Sequence, residues 1–266
     1  MSAIVVRDML PEDEYFVSTC SHVNESPELD ASGQRRAEWI RKRAPLGLRV
    51  KVGLLNGAHA GFAYLLPVEQ APWQIVGQDC LYVPCAWVLP SLSKQGVGQC
   101  LLEACEAEAR RQGRKALVAG MPRDFLAKRG YVAARQEGKA AIYWKVFDPS
   151  AMVPGFLKAQ SPYVFAPVPG KLVVDLFWNS FCQTSEVEAA RVRKVAREFG
   201  EQIILREYCA DNRQILLRYA QPRGIYVNGR RIGWGYEAPE DGLRDSFSKA
   251  LAELRAQERS QVRNRE

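Results

Sequence analysis

Between Val88 and Glu103 an apolar run stops at Pro90, turns through Gly96 and Gly98, and continues as Gln99-Cys-Leu-Leu-Glu103. The pattern is that of a strand breaking into a glycine-bearing turn that starts a helix. Without Cβ atoms at Gly96 and Gly98 the main chain can approach a ligand closely, and the free N–H groups from Lys94 to Gln99 can all point one way. The helix start carries roughly half a positive charge, which favours a phosphate by about 0.3–1 kcal/mol before any hydrogen bond is counted. A pyrophosphate fits such a cradle, and plain helix capping is the alternative. The dinucleotide fingerprint needs a third glycine and the phosphate-binding loop needs Gly-Lys-Ser/Thr. Gln99, Cys100 and Leu101 follow Gly98, so neither pattern is completed.

Val88-Leu-Pro90 followed by Ser93-Lys-Gln-Gly96-Val-Gly98 resembles the acetyl-coenzyme A loop of the GNAT N-acetyltransferases, whose pattern is Gln/Arg-x-x-Gly-x-Gly/Ala after a strand ending Val-x-Pro. The amphipathic helix that should follow is present over Leu101 to Gly113. Ser93 departs from the family's Arg or Gln, with Lys94 as a nearby charge. The resemblance implies acetyl-CoA as co-substrate, an amine acceptor, and direct attack of that amine on the thioester. It places Trp87 and Val88 along the pantetheine arm and Ser93, Lys94, Gln95, Gly96, Val97, Gly98 and Gln99 around the pyrophosphate. The family's usual proton donor, a tyrosine four residues before a Gly-Phe pair, falls on Leu126, with Gly130-Tyr131 as the pair. Tyr82, Cys85 and Tyr131 are the candidates for that role. Glu69 and Asp79 are the candidate carboxylate bases, each also readable as a solvated hairpin charge. Cys85 in an apolar strand also reads as core. Tyr64 and Trp73 are candidate walls of an acceptor pocket or, equally, buried aromatics.

The first half alternates strand and helix. Strands are expected at Ile4 to Asp8, Leu48 to Leu55, Ala60 to Leu66 and, as one strand, Asp79 to Val88. Helices are expected over Pro11 to Val23 and Gly33 to Arg43, with a hairpin turn at Asn56-Gly57. After the coenzyme helix come a strand at Lys115 to Gly120, a short helix over Arg123 to Arg129, and a closing strand at Ala141 to Val146. The order resembles the GNAT fold over residues 1–148. Prolines 149, 154, 162, 167 and 169 then mark 149–170 as a stiff connector.

A second domain is expected over 171–256, with a charged tail at 257–266. Its order is a strand at Lys171 to Phe177, a helix at Ser185 to Phe199, a strand from Gln202, a helix at Arg213 to Tyr219, a hairpin at Asn228-Gly229, and a last helix over Leu243 to Arg255. A cysteine after the first strand and a proline before the hairpin resemble thioredoxin and glutaredoxin domains. That resemblance makes Cys182 the reactive position and Pro222 the cis proline facing it. Ser185 stands where the second thiol would be, which leaves a monothiol. The fold class expected is therefore mixed α/β, a GNAT-type domain with a mixed sheet followed by a smaller thioredoxin-like α/β domain. The whole resembles YoaP-like acetyltransferases.

The 266 residues, 47% hydrophobic, can bury two modest cores. No apolar run reaches the roughly 18 residues of a membrane span. The N-terminus has charges inside its only apolar run, so no secretory signal is expected. Seven cysteines without tight spacing suit a reducing, cytoplasmic setting. The net charge of +7 is spread among acids, which argues against nucleic acid as a partner. His22 and His59 have no cysteine or carboxylate at metal spacing, so no metal is expected. A homodimer stays open. The function expected is acyl-CoA-dependent N-acyl transfer; the alternatives are a thiol-based redox or binding protein using Cys182 and a non-catalytic CoA-binding sensor.

Overall fold

The computed structural model describes residues 3–233 and 240–263, in two compact units, 1–157 and 158–266.

The first unit runs β1 (Ile4–Asp8), α1 (Glu14–Ser18), α2 (Pro27–Arg43), β2 (Arg49–Leu55), β3 (Ala58–Pro67), β4 (Ile75–Val76), β5 (Cys80–Val83), β6 (Ala86–Val88), α3 (Val97–Arg111), β7 (Ala116–Ala119), α4 (Arg123–Ala127), β8 (Val132–Glu137), β9 (Ala140–Val146) and β10 (Gly155–Phe156). Its main sheet has the order β1-β2-β3-β5-β7-β9-β8, with β6 also paired to β3. Only β5 and β7 are parallel; β10 pairs with β4 apart from this sheet. One face is sealed by α3, whose Val97, Leu101, Leu102, Cys105 and Ala109 pack on Leu65, Leu81, Val83 and Leu117. On the other face Ile75, Tyr82, Val118, Ile142 and Trp144 form a second cluster.

Several elements differ from expectation. The helix expected to start at Gly33 starts at Pro27, because Ser26 caps it by accepting the Leu29 N–H at 3.2 Å and proline suits the first helical position. The helix expected over Pro11 to Val23 is a 3-10 turn and a short α1 ending at Ser18. The chain then takes left-handed conformations at Cys20, Ser21 and Asn24, which no helix continues through. The strand expected over 79–88 is broken at Pro84 into β5 and β6, since proline offers no N–H to a ladder. The edge strand β8 was not expected. It is exposed along nearly its whole length, so no face carries an apolar alternation.

The second unit runs β11 (Leu172–Trp178), α5 (Gln183–Glu198), β12 (Ile203–Cys209), α6 (Arg213–Tyr219), β13 (Gly224–Val227), β14 (Arg230–Ile232) and α7 (Glu240–Arg263). The sheet order is β12-β11-β13-β14, with β11 parallel to β12 and antiparallel to β13. Leu172, Val174 and Leu176 turn to the α5 and α7 side. Phe177 on the opposite face meets Tyr163, Tyr208 and Tyr226.

The proline-rich stretch 149–170 is not the unpacked connector expected. Its first part forms β10, and its second part lies on the sheet of the second unit. There Tyr163 donates its hydroxyl to buried Asp175 at 2.7 Å, and Ala166 O accepts from Arg206 at 2.9 Å. Apolar and aromatic residues between the prolines supply the contacts. The charged tail is likewise helical as far as Arg263, and 264–266 lie outside the described residues.

Candidate functional site

The break at Pro84 opens the sheet. β5 pairs with β7 as far as Val83 opposite Ala119, and the Gly120 N–H still reaches Val83 O at 2.8 Å. Beyond that point β6 stays on β3 while the chain after β7 leaves, so the far edge of β6 has no partner strand among the described residues. Tyr64 N–H bonds Cys85 O at 3.0 Å and Leu89 N–H bonds Ala60 O at 2.9 Å. Antiparallel pairing alternates, so Trp87 shares its main-chain groups with Phe62 opposite it. The amides and carbonyls of Ala86 and Val88 therefore face the opening. Of Trp87 and Val88, the two positions sequence reasoning named, the main chain of Val88 faces the opening together with Ala86, while that of Trp87 faces β3. The Trp87 indole donates to Ser21 Oγ at 3.0 Å.

The opening leads directly to the start of α3. A Cβ built on Gly98 would lie 3.5 Å from Val88 Cγ2 and 3.8 Å from the Phe125 ring, which is ordinary contact. Gly98 is thus not required by the protein's own atoms. Gly96, at φ +91°, is required by its backbone. The N–H groups of Gly96, Val97 and Gly98 donate to no group among the described residues. Ser93, Lys94, Gln95, Gly96 and Gln99 are exposed around them, whereas Val97 turns into the core. Arg129 was not foreseen. Its guanidinium lies 3.7 Å over the Phe125 ring and donates to Gln99 Oε1 at 3.2 Å, which brings a cation to the first turn of α3.

Tyr82 stands at the inner end of the opening. A Cβ on Gly120 would lie 3.1 Å from its hydroxyl and 3.2 Å from Pro84 O. Burial pushes the Tyr82 hydroxyl well above its ordinary value, with nearby Cys85 adding to the effect. The hydroxyl has no hydrogen-bond partner among the described residues. Tyr82 also lines a cavity of roughly 280 Å³ whose walls include Trp73 and Phe156. Tyr64, the other expected wall, is absent from it. Its hydroxyl is occupied by Arg36 at 3.0 Å and Val17 O at 3.3 Å.

The remaining candidates lie elsewhere. Glu69 is exposed and acts on Cys80, which with burial holds that thiol up to about 12. Asp79 is 3.6 Å from Lys115. Cys80 and Asp79 mark the far end of β5, about 10 Å from the opening at 3.3 Å per residue. Tyr131 is buried on the α3 face, donating to Glu106 at 3.2 Å, and Lys145 holds the same carboxylate at 2.8 Å. Burial and that carboxylate raise its hydroxyl above the usual range. Neither Glu69 nor Tyr131 joins Tyr82 and Cys85.

In the second unit Cys182 precedes α5, its N–H bonded to Asn179 Oδ1 at 2.9 Å. Asn179 in turn donates its side-chain amide to Pro222 O at 2.9 Å, so the two expected positions are tied to one residue. The bond before Pro222 is trans, not the cis form expected. The chain arrives from Ala220 in a left-handed conformation and enters β13 without needing a cis turn. Ser185 Oγ accepts the Asn179 N–H at 3.0 Å, a structural use of that hydroxyl.

Residues 12–131 match the family model described as the acetyltransferase (GNAT) family. Solved structures similar to the chain include a GNAT family acetyltransferase from Brucella melitensis in complex with acetyl-CoA, 17% identical, covering 56% of this chain and 91% of that chain, TM-score 0.41. The PaiA N-acetyltransferase from Thermoplasma acidophilum in complex with coenzyme A is 14% identical, covering 55% of this chain and 99% of that chain, TM-score 0.40. A GNAT family N-acetyltransferase from Escherichia coli in complex with CoA is 16% identical, covering 55% of this chain and 82% of that chain, TM-score 0.42. No curated protein matches the chain.

Proposed function

We propose, from a GNAT acetyltransferase domain over residues 12–131 as premise, that the protein moves an acetyl group from acetyl-CoA to the nitrogen of a small amine by direct attack. The observation that carries this reading is one continuous polar track. The unpaired edge of β6 leads to three free amides at the start of α3. An extended pantetheine arm can pair with Ala86 and Val88 as a strand would, and its pyrophosphate then meets the amides of Gly96, Val97 and Gly98. Lys94 and Arg129 supply positive charge where Ser93 lacks it. Holding the thioester and the amine in line accounts for most of the expected rate.

In the transfer the amine nitrogen forms a bond to the acetyl carbonyl carbon as the carbon–sulfur bond breaks. The nitrogen sheds a proton and the coenzyme leaves as its thiolate, which gains one, giving an amide and CoA thiol. Tyr82, protonated and unpartnered beside the opening, is the donor to that sulfur. The products and the role of Tyr82 need no covalent step on Cys85.

Calorimetric titration with acetyl-CoA and desulfo-CoA tests the reading. Micromolar binding is expected, weakened about 100-fold in Gly98→Glu, which corresponds to about 2.8 kcal/mol. Gly98 tolerates a Cβ, so this variant keeps its fold and isolates the effect of charge and bulk in the cradle. An unchanged affinity in Gly98→Glu would sink the proposal.

The second unit is read as a thioredoxin-like module carrying a monothiol at Cys182 and acting on the acceptor or a partner. Supporting this are the β-α-β-α-β-β-α order with its parallel first pair, and the Asn179 link between the Cys182 loop and Pro222. Alkylation of Cys182 faster than a model thiol is the expected result. A cytoplasmic location belongs to the same reading; among the described residues no helix is long and apolar enough to cross a membrane.

A further inference from the structure

We propose that the acceptor is a primary amine on an uncharged apolar body, of the alkylamine or arylalkylamine class, and that the cavity beside Tyr82 holds that body. The assignment rests on the acetyl-transfer reading above and concerns what is acetylated. At roughly 280 Å³ the cavity is small for a ligand site, and the part of an acceptor that it holds must be small. Trp73, Ile75, Val118, Ile142 and Phe156 form largely apolar walls, and polar side-chain groups come from Gln74, Tyr82 and the Trp73 indole N–H. No lining residue is charged at neutral pH, since Tyr82 is held protonated by burial. A second ammonium or a carboxylate held there would lose part of its hydration with no charged side chain in the lining to compensate. That disfavours polyamines, amino sugars and free amino acids.

The lining of the cavity reaches Gly120, beside the end of β5. There the Tyr82 hydroxyl and Pro84 O come close together, 3.1 and 3.2 Å from where a Cβ on Gly120 would stand, and Pro84 O is an acceptor for an amine N–H. The same apolar walls disfavour the ammonium form. The acceptor therefore gives its first proton to water outside and enters as the neutral amine, its lone pair ready for attack. This removes the need for a carboxylate base, in keeping with Glu69 and Asp79 lying at the far end of β5. Phe156 comes from β10, beyond both the family match at 12–131 and the closing strand β9.

The test uses the full chain with acetyl-CoA, following CoA release with phenethylamine and hexylamine against hexane-1,6-diamine, lysine and glucosamine. The expected kcat/KM for the two monoamines exceeds that for the charged acceptors by about tenfold or more. Ala140→Phe, which fills the cavity from an exposed position on the same face of β9 as Ile142, lowers the monoamine values about tenfold while leaving the calorimetric affinity for acetyl-CoA unchanged. Phe156→Ala, a second variant that enlarges the cavity, shifts preference toward the bulkier naphthylmethylamine. Charged acceptors used equally well overturn the assignment, as does a protein that binds acetyl-CoA yet acetylates no monoamine. A preference for octanoyl-CoA over acetyl-CoA that is lost in Ala140→Phe also overturns it, by giving the cavity to the acyl chain. Failure to bind acetyl-CoA overturns the acetyl-transfer reading itself and is seen before any acceptor is added.

Discussion

Tyr82 shows how position in a sheet decides what a side chain can do. It alternates with Leu81 and Val83, which face α3, so its ring lies on the opposite face and its hydroxyl reaches the opening at Gly120. Burial raises its pKa above the ordinary 10.0, so the proton stays on through the neutral and mildly alkaline range. Tyr82→Phe is expected to lower kcat by about 100-fold, with KM for acetyl-CoA little changed, because a positioned proton donor contributes about that much. In the parent, kcat/KM should rise with pH until the acceptor's own ammonium pKa is passed. It should show no tyrosine-linked fall near pH 10, and acceptors of different basicity should move the midpoint. A midpoint fixed across acceptors would instead mark a titrating group of the protein. The other candidates stand apart from the opening for equally local reasons. Tyr131 is committed to Glu106, and Glu69 sits where β5 begins rather than where it ends.

At the scale of elements, legibility followed how strongly the local chain dictates its own geometry. The Gly96 to Gly98 turn and α3 were readable because a left-handed glycine, a helix start and an apolar stripe coincide within one short stretch. The hairpin at Asn228-Gly229 was readable because both residues take the left-handed conformations that a two-residue turn demands. The start of α2 was missed although Ser26-Pro27 carries its signal, since the face it buries after Leu29 is Ser32, Gly33 and Arg36, and turns apolar only from Ala37 onward. β8 carried no signal: a strand at the sheet edge with both faces wet needs no pattern. The opening between β5 and β6 was hidden for a different cause. Pro84 announces a break, but only the pairing of Val83 with Ala119 and of Ala86 with Ala63 shows that the two halves part company. The cavity was half legible, Trp73 having been named while Phe156, brought by β10 from beyond the closing strand, was not.

For the whole molecule, the stretch 149–170 matters more than its proline content suggests. Cutting after 157 leaves each unit with the segments that lie on its own sheets. The fragment 158–266 is expected to unfold cooperatively, whereas 171–266, stripped of Tyr163 over Phe177 and Asp175, should melt at lower denaturant. A fragment ending at 148 should still bind acetyl-CoA but accept bulkier amines, having lost Phe156; urea titrations and the amine series check these outcomes. The first unit also has a property that only its complete sheet reveals. β3 is ten residues long, and β6 and β5 hang from its two ends without joining each other across the gap. The sheet is thus two ribbons sharing one spine, and the proposed pairing of the pantetheine arm with β6 would fill the gap between them. Isotope exchange makes this visible at single amides. In the ligand-free protein the N–H groups of Ala86 and Val88 should exchange with deuterium quickly while that of Trp87 between them is protected, and acetyl-CoA should slow the outer pair alone.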